Sequence, residues 1–109
     1  MFKFGQLVLV SFPFTNSYES KERPSLVLLN GTQSDLVCAK ITSKYSNEIH
    51  SVNIEFWKES NLLFPSIVRL DKVGTFHTKQ IIQLIGELKE NDLKNIQNQF
   101  KKTYSKLLN

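Results

Sequence analysis

The residues best suited to chemistry in this chain are two arginines, two adjacent hydroxyl residues and one aspartate. Twelve of the fourteen basic residues are lysines, so an arginine is expected where a lysine cannot serve, as in paired contacts with a phosphate or carboxylate. Arg23 precedes a proline, and Arg69 lies two residues before Asp71. Thr42 and Ser43 close an apolar run. These side chains offer cationic donors, neutral donors and one carboxylate, a set that can hold a phosphate.

Each of these residues also has an ordinary structural explanation. Arg23 fits a solvated cation in a loop. Thr42 and Ser43 fit strand propensity followed by a turn. Arg69 and Asp71 fit an ion pair on the surface of a sheet. No single residue decides between structure and function.

Motifs for metal, cofactor or nucleophilic chemistry are absent from the sequence. It holds one cysteine, no His-x-x-x-His, no phosphate-binding glycine loop and no Gly-x-Ser-x-Gly. His50 and His77 are isolated and are predicted to be surface or half-buried residues. Cys38 lies within an apolar run and is predicted to be a small buried hydrophobe. No cofactor and no metal are therefore expected.

Length and composition predict one globular domain spanning residues 1–109, with 40% apolar and 22% charged residues. The net charge of +4 is uneven, since residues 1–77 hold eight cations against seven anions and residues 78–109 hold six against three. Total charge is therefore weak evidence for a nucleic-acid partner. The four-residue aliphatic runs are too short for a membrane span or a signal peptide. With a single cysteine, a reducing, cytoplasmic compartment is expected.

The elements that must position these residues are mainly short strands. Branched and aromatic residues predict five strands, over residues 5–12, 25–30, 36–43, 51–56 and 66–73. A polar loop is predicted between the first two, at residues 14–22, and the alternation over residues 51–56 turns Val52, Ile54 and Phe56 inward. Residues 78–88 fit neither the helical nor the strand period.

One helix is predicted at the end of the chain, from about Glu90. Its apolar stripe has helical spacing and consists of Leu93, Ile96, Phe100, Tyr104 and Leu107. Short strands followed by one helix predict a mostly β fold with a small, strongly bent sheet or barrel.

Several sequence strings, in order and with matching spacing, resemble the MazF/PemK family of bacterial toxins. They are GQLVLVSFPFT from Gly5, RPSLVL from Arg23, ITS from Ile41, VRLDK from Val68, and IGEL from Ile85 with Asp92-Leu93 in the helix beyond. The likeness covers almost the whole chain.

This resemblance implies an SH3-like small barrel, of the type shared by MazF and CcdB toxins, that forms a homodimer. It also implies metal-independent cleavage of single-stranded RNA and a cognate antitoxin whose acidic or amphipathic tail covers the RNA groove. The catalytic positions of the family correspond here to Arg23 and Thr42. Arg69 and Asp71 correspond to a pair that contributes to binding in some members, and Ser43 can donate a hydrogen bond to the same phosphate.

Attack by a ribose 2′-OH requires a group that takes its proton and donors for the charge that builds up on the phosphate. Arg23 and Thr42 suit the donor role, whereas a guanidinium keeps its proton and is a poor base. Asp71 can act as base only if it reaches the 2′-OH, so the sequence leaves the base open. The loop over residues 14–22 lacks the histidine or glycines of some relatives, and Gly74 stands where relatives often carry a cation.

Two other functions remain compatible with the sequence. A small barrel with eight phenylalanines and a basic tail can bind RNA or protein without cleaving it. The same fold also serves a toxin that poisons DNA gyrase through its C-terminal helix. Neither function needs the combination of Arg23, Thr42, Arg69 and Asp71, which therefore favours the ribonuclease.

Overall fold

The computed structural model describes residues 2–13, 20–44 and 48–108 of the chain. The elements in chain order are β1 (Gln6–Pro13), β2 (Ser20–Asn30), β3 (Asp35–Thr42), β4 (Ser51–Asn53), β5 (Ile67–His77), β6 (Ile81–Glu87) and the helix α1 (Glu90–Thr103). The six strands form one sheet in the order β4-β5-β3-β2-β1-β6. The predicted fold class, mostly β with a C-terminal helix, is confirmed. The described strands leave this sheet open between β4 and β6 instead of closing it into a barrel.

The second strand begins earlier than the sequence predicts. Residues 20–22, assigned to the polar loop, pair with β1, and residues 14–19 of that loop lie outside the described residues. Pro24 pairs with β1 on one side, while pairing with β3 starts only at Ser25. Because proline has no N–H to donate to a ladder, this one-sided position suits it.

The sheet is apolar on both faces. Alternation along β1 sends Leu7 to one face and Val8 to the other, and the two belong to different core clusters. The larger cluster lies on the face covered by α1, where Ile96 joins the strand residues. The smaller cluster, on the opposite face, consists of Val8, Val10, Val27, Leu36 and Cys38. The predicted burial of Cys38 is thus confirmed.

The inward orientation predicted for Phe56 is wrong. β4 ends at Asn53, and the following residues form hydrogen-bonded turns. Val52 packs against the core and Ile54 is buried, but Phe56 is 37% exposed. Alternation predicts orientation only within a strand, and here the strand stops before the third residue of the pattern.

Residues 78–88, which fit neither period, form a 3-10 helix at Thr78–Gln80 followed by β6. Among the described strands β6 pairs only with β1, at the edge of the sheet. Ile82 and Leu84 are each 49% exposed, so no buried face imposes a clear alternation on the sequence.

The helix α1 begins at Glu90, as predicted, and Leu93 and Ile96 pack into the larger cluster. The stripe extends past the helix, which ends at Thr103. Leu107 lies in the 3-10 helix Ser105–Leu108 and is 79% exposed, so its predicted place in the packed stripe is wrong. Among the described helices none is long and apolar enough to cross a membrane.

Candidate active site

Strand register places the two predicted catalytic residues on one face of the sheet. Ser25 of β2 pairs with Lys40 of β3. The β2–β3 ladder ends at this pair, and Arg23 and Thr42 each lie two residues beyond it on their strands, on the same face of the sheet. Arg23 pairs across β1 with Val10, a member of the smaller cluster, so this is the face opposite α1.

The guanidinium of Arg23 is half-buried and makes no hydrogen bond or ion pair with any described residue. The Thr42 Oγ1 accepts the Lys44 backbone N–H at 3.2 Å, which leaves its hydroxyl hydrogen free to be donated. Ser43 is exposed and lies beyond the end of β3, not within it as predicted. Arg23 and Thr42 thus lie beyond the same end of the β2–β3 ladder, and Ser43 directly follows the end of β3.

Arg69 and Asp71 form a two-pronged ion pair on β5. Arg69 Nε lies 3.0 Å from Asp71 Oδ1, and Arg69 Nη2 lies 2.9 Å from Asp71 Oδ2. The side chains are only 19% and 28% exposed. Two parallel donors on one carboxylate fix the plane of the guanidinium, which a single point contact does not.

A bulge in β5 produces this pair. Lys40 pairs with Arg69, whereas the preceding residue Ala39 pairs with Val73, so residues 70–72 are additional on β5. Arg69 is also opposite Ser51 of β4. Its backbone is therefore held from both sides.

Hydrogen bonding sets the ionisation of the pair. The hydrogen bonds from Arg69 hold the pKa of Asp71 below its usual value, and the same hydrogen bonds raise the pKa of Arg69. Asp71 is therefore ionised at neutral pH, with both oxygens already accepting. Such a carboxylate orients its partner well and takes a proton poorly.

The surface around these residues is cationic. Arg23, Lys40 and Arg69 share the face with the carboxylate of Asp71, and the negative charge of Glu48 also acts on Arg69. Lys40 is the residue that the sequence analysis did not single out. Alternation from Thr42 already indicated its face, but only the register shows that it lies between Ser25 and Arg69.

Other reactive side chains are occupied or shielded. Burial raises the pKa of Cys38 to about 11, so its thiol stays protonated and unreactive. His50 is half-buried with its Nδ1 3.0 Å from the Thr103 hydroxyl, and the exposed His77 accepts the Lys79 backbone N–H. The described part of the chain contains no cluster of three metal-ligating side chains.

Comparisons with known proteins identify the family of the chain. Residues 3–104 match the family model described as PemK-like, MazF-like toxin of type II toxin-antitoxin system. A comparison with curated protein sequences found no significant match.

Three similar solved structures share the fold at low sequence identity. A Mycobacterium tuberculosis toxin, MazF-mt6, is 17% identical with a TM-score of 0.76, over 92% of this chain and 96% of that one. A mycobacterial endoribonuclease solved with its cognate antitoxin is 16% identical with a TM-score of 0.73, over 94% and 93%. A MazE-MazF structure from Deinococcus radiodurans is 18% identical with a TM-score of 0.75, over 93% of each chain.

Proposed function

Because the chain belongs to the family of PemK-like, MazF-like toxins of type II toxin–antitoxin systems, we propose that it is an endoribonuclease acting on single-stranded RNA. The observation that supports this proposal is that Arg23 and Thr42 lie on one face of adjacent strands, beyond the same end of their ladder, while the next strand carries the Arg69–Asp71 pair. The guanidinium of Arg23 has no carboxylate partner among the described residues, which leaves its donors available for a phosphate.

The proposed reaction begins with attack of a ribose 2′-OH on the adjacent phosphate. The new bond joins the 2′-oxygen to phosphorus, the bond to the 5′-oxygen breaks, and a 2′,3′-cyclic phosphate and a 5′-OH result. Charge accumulates on the non-bridging oxygens during this step. Arg23 supplies fixed cationic donors to them, and Thr42 adds a neutral hydrogen bond.

Arg69 and Asp71 have a binding role in this proposal. Asp71 holds the Arg69 guanidinium in one plane, and Arg69 contacts a neighbouring phosphate of the strand. Its lowered pKa makes Asp71 better suited to orienting Arg69 than to removing the 2′-OH proton. The exposed hydroxyl of Ser43 is a further substrate contact at the rim.

We further propose that the protein acts in the cytoplasm as a homodimer controlled by a cognate MazE/PemI-like antitoxin. An apolar groove of about 860 Å³ runs between α1 and the sheet, with Leu29 59% exposed and Phe100 41% exposed along it. A second copy of the chain seated on this groove would bury these exposed apolar side chains, which supports dimerisation. The antitoxin proposal is supported by the family and by the similar structures solved with antitoxins.

Analysis of the product ends tests the proposed reaction. Purified protein is incubated with a single-stranded RNA in the presence of EDTA, and the 3′ and 5′ ends of the fragments are identified by mass spectrometry. Fragments with 2′,3′-cyclic phosphate and 5′-OH ends are expected. Fragments with 5′-phosphate ends, or cleavage that needs added Mg²⁺, would contradict internal attack at this site. RNA that binds without being cleaved would instead identify a binding module.

A further inference from the structure

Lys40 occupies a position that sheet stability alone does not explain. It lies directly opposite Arg69 in the β3–β5 ladder, and like charges directly opposite each other destabilise an antiparallel pair. Asp71 neutralises Arg69 through two hydrogen bonds, while Lys40 has no ion pair within the described residues. Lys40 is therefore a cation of this face without a carboxylate partner among the described residues.

The other neighbour of Lys40 is also unusual. Ser25, its partner in β2, is completely buried, and its Oγ has no hydrogen-bond partner among the described residues. Buried polar atoms are almost always satisfied, and exceptions concentrate at functional sites. A like-charge pair and an unpartnered hydroxyl thus fall in one row across the sheet. Lys40 is the exposed member of this row, and an exposed cation without an ion-pair partner suits a surface that binds an anion.

A small cavity adjoins this row on the same face. Its volume is about 290 Å³, close to the lower end of the roughly 300–1,000 Å³ range of small-molecule pockets. The lining is Cys38, Lys40, Asp71, Lys72, Val73, Gly74 and Phe76. The cavity therefore combines apolar walls with two cations and one carboxylate.

Gly74 keeps part of this cavity open. A Cβ at this position would lie 3.2 Å from Phe76 Cε2 and 3.3 Å from Phe76 Cζ, tighter than ordinary contact. Gly74 has no left-handed backbone that would require glycine. The absence of a side chain at Gly74 therefore keeps the space beside Phe76 open.

We propose that Lys40 and this cavity form a subsite for one nucleotide of the RNA strand, with its phosphate on Lys40 and its base in the cavity. The subsite rests on the proposed function, since it extends the Arg23–Thr42 site along the same face. Asp71 has lone pairs beyond those that Arg69 uses, so it can accept from an exocyclic amino group. Uracil has no such group and should be the base bound least well.

Binding of single nucleotides to the full chain tests the subsite without RNA cleavage. AMP, CMP, GMP, UMP and inorganic phosphate are titrated separately into ¹⁵N-labelled protein, and dissociation constants are taken from amide chemical shifts. At least one amino-bearing nucleotide should bind tighter than inorganic phosphate, and UMP should bind least tightly of the four. Equal affinity for phosphate and all four nucleotides, or tightest binding of UMP, would overturn the base-binding cavity.

Two variants and a control separate the phosphate contact from the base contact. Lys40→Met should weaken the binding of nucleotides and of phosphate alike by about 1.5- to fivefold, the usual range for an exposed ion pair. Gly74→Ala should weaken the binding of nucleotides, because the alanine methyl group occupies the cavity. The affinity for inorganic phosphate should stay unchanged. The control is Lys106→Met, at an exposed lysine of the C-terminal 3-10 helix. It should change neither the nucleotide affinity nor the phosphate affinity. Unchanged binding by Lys40→Met refutes the phosphate contact.

The same titrations distinguish a failure of the subsite from a failure of the proposed reaction. If nucleotides bind as expected but RNA stays intact after incubation, the subsite is supported and the proposed ribonuclease activity is refuted. If RNA is cleaved to cyclic phosphate ends but nucleotides bind no tighter than phosphate, the ribonuclease activity is supported and the subsite is refuted. Lys40→Met should fold, because it removes a like-charge pair, and its thermal midpoint verifies this directly.

Discussion

Replacing Asp92 by alanine should destabilise the protein more than any nearby surface substitution. The Asp92 side chain is completely buried in the first turn of α1. Its Oδ1 accepts the Glu55 backbone N–H at 2.9 Å, and its Oδ2 accepts the Phe56 backbone N–H at 3.0 Å. The carboxylate thereby ties the helix to the chain segment that follows β4, and its negative charge also suits a helix N-terminus.

The expected loss follows from these two hydrogen bonds. A hydrogen bond to a charged group contributes about 1.5–3 kcal/mol, and the substitution leaves both N–H groups without an acceptor. We therefore expect a loss of about 3–5 kcal/mol in the free energy of unfolding, a large part of the roughly 5–15 kcal/mol typical of a domain. Asp92→Asn keeps the shape but places an NH₂ group against an N–H donor, so it should cost nearly as much.

Urea unfolding followed by circular dichroism measures this loss, at one fixed protein concentration because the protein is proposed to dimerise. Asn91→Ala is the matched control, since Asn91 is exposed and bonds only the Glu55 carboxylate, at 3.0 Å. It should change the free energy of unfolding by less than about 0.5 kcal/mol. A cost below about 1 kcal/mol for Asp92→Ala would show that the buried carboxylate does not anchor the helix.

Two further predictions concern packing and charge. Gly86→Ala should lower the free energy of unfolding by about 1–3 kcal/mol, measured in urea, because its Cβ would lie 2.4 Å from the Ser60 backbone oxygen. Because the pKa of Asp71 is lowered, its ion pair with Arg69 persists as pH falls and is lost only below the ordinary carboxyl range. The Asp71 carboxyl, followed by ¹³C NMR, should therefore titrate below the ordinary value of 3.8. Titration at 3.8 or above would show that the pair does not form.

Much of the fold was predictable because local patterns coincide with tertiary burial. The apolar run predicted β3 to within one residue at each end, and the helical period identified the start of α1 at Glu90. These predictions succeed where one face of an element is buried along its whole length. They fail where burial stops, as at Phe56 after β4 and at Leu107 beyond α1.

The arrangement of the candidate site depends on features that the sequence does not encode locally. Arg69 and Asp71 alternate like residues of any regular strand, so nothing in the sequence marks the bulge between Arg69 and Val73. The opposition of Lys40 and Arg69 is a property of strand order and register. Asp92 looks like an ordinary acidic residue of a first helical turn, and only tertiary structure shows its two backbone partners.

The most direct test of the central claim is the single-turnover cleavage rate of one RNA by the wild type and by Arg23→Lys. The substitution keeps the charge but loses the planar, paired donors, so the rate should fall about 10²–10³-fold, or roughly 3–4 kcal/mol, with RNA affinity changed little. Lys21→Ala, at an exposed lysine of the same strand, should alter affinity and its salt dependence without a large effect on the rate. Cleavage by Arg23→Lys at close to the wild-type rate would mean that Arg23 is a general cation and that the proposed active site is wrong.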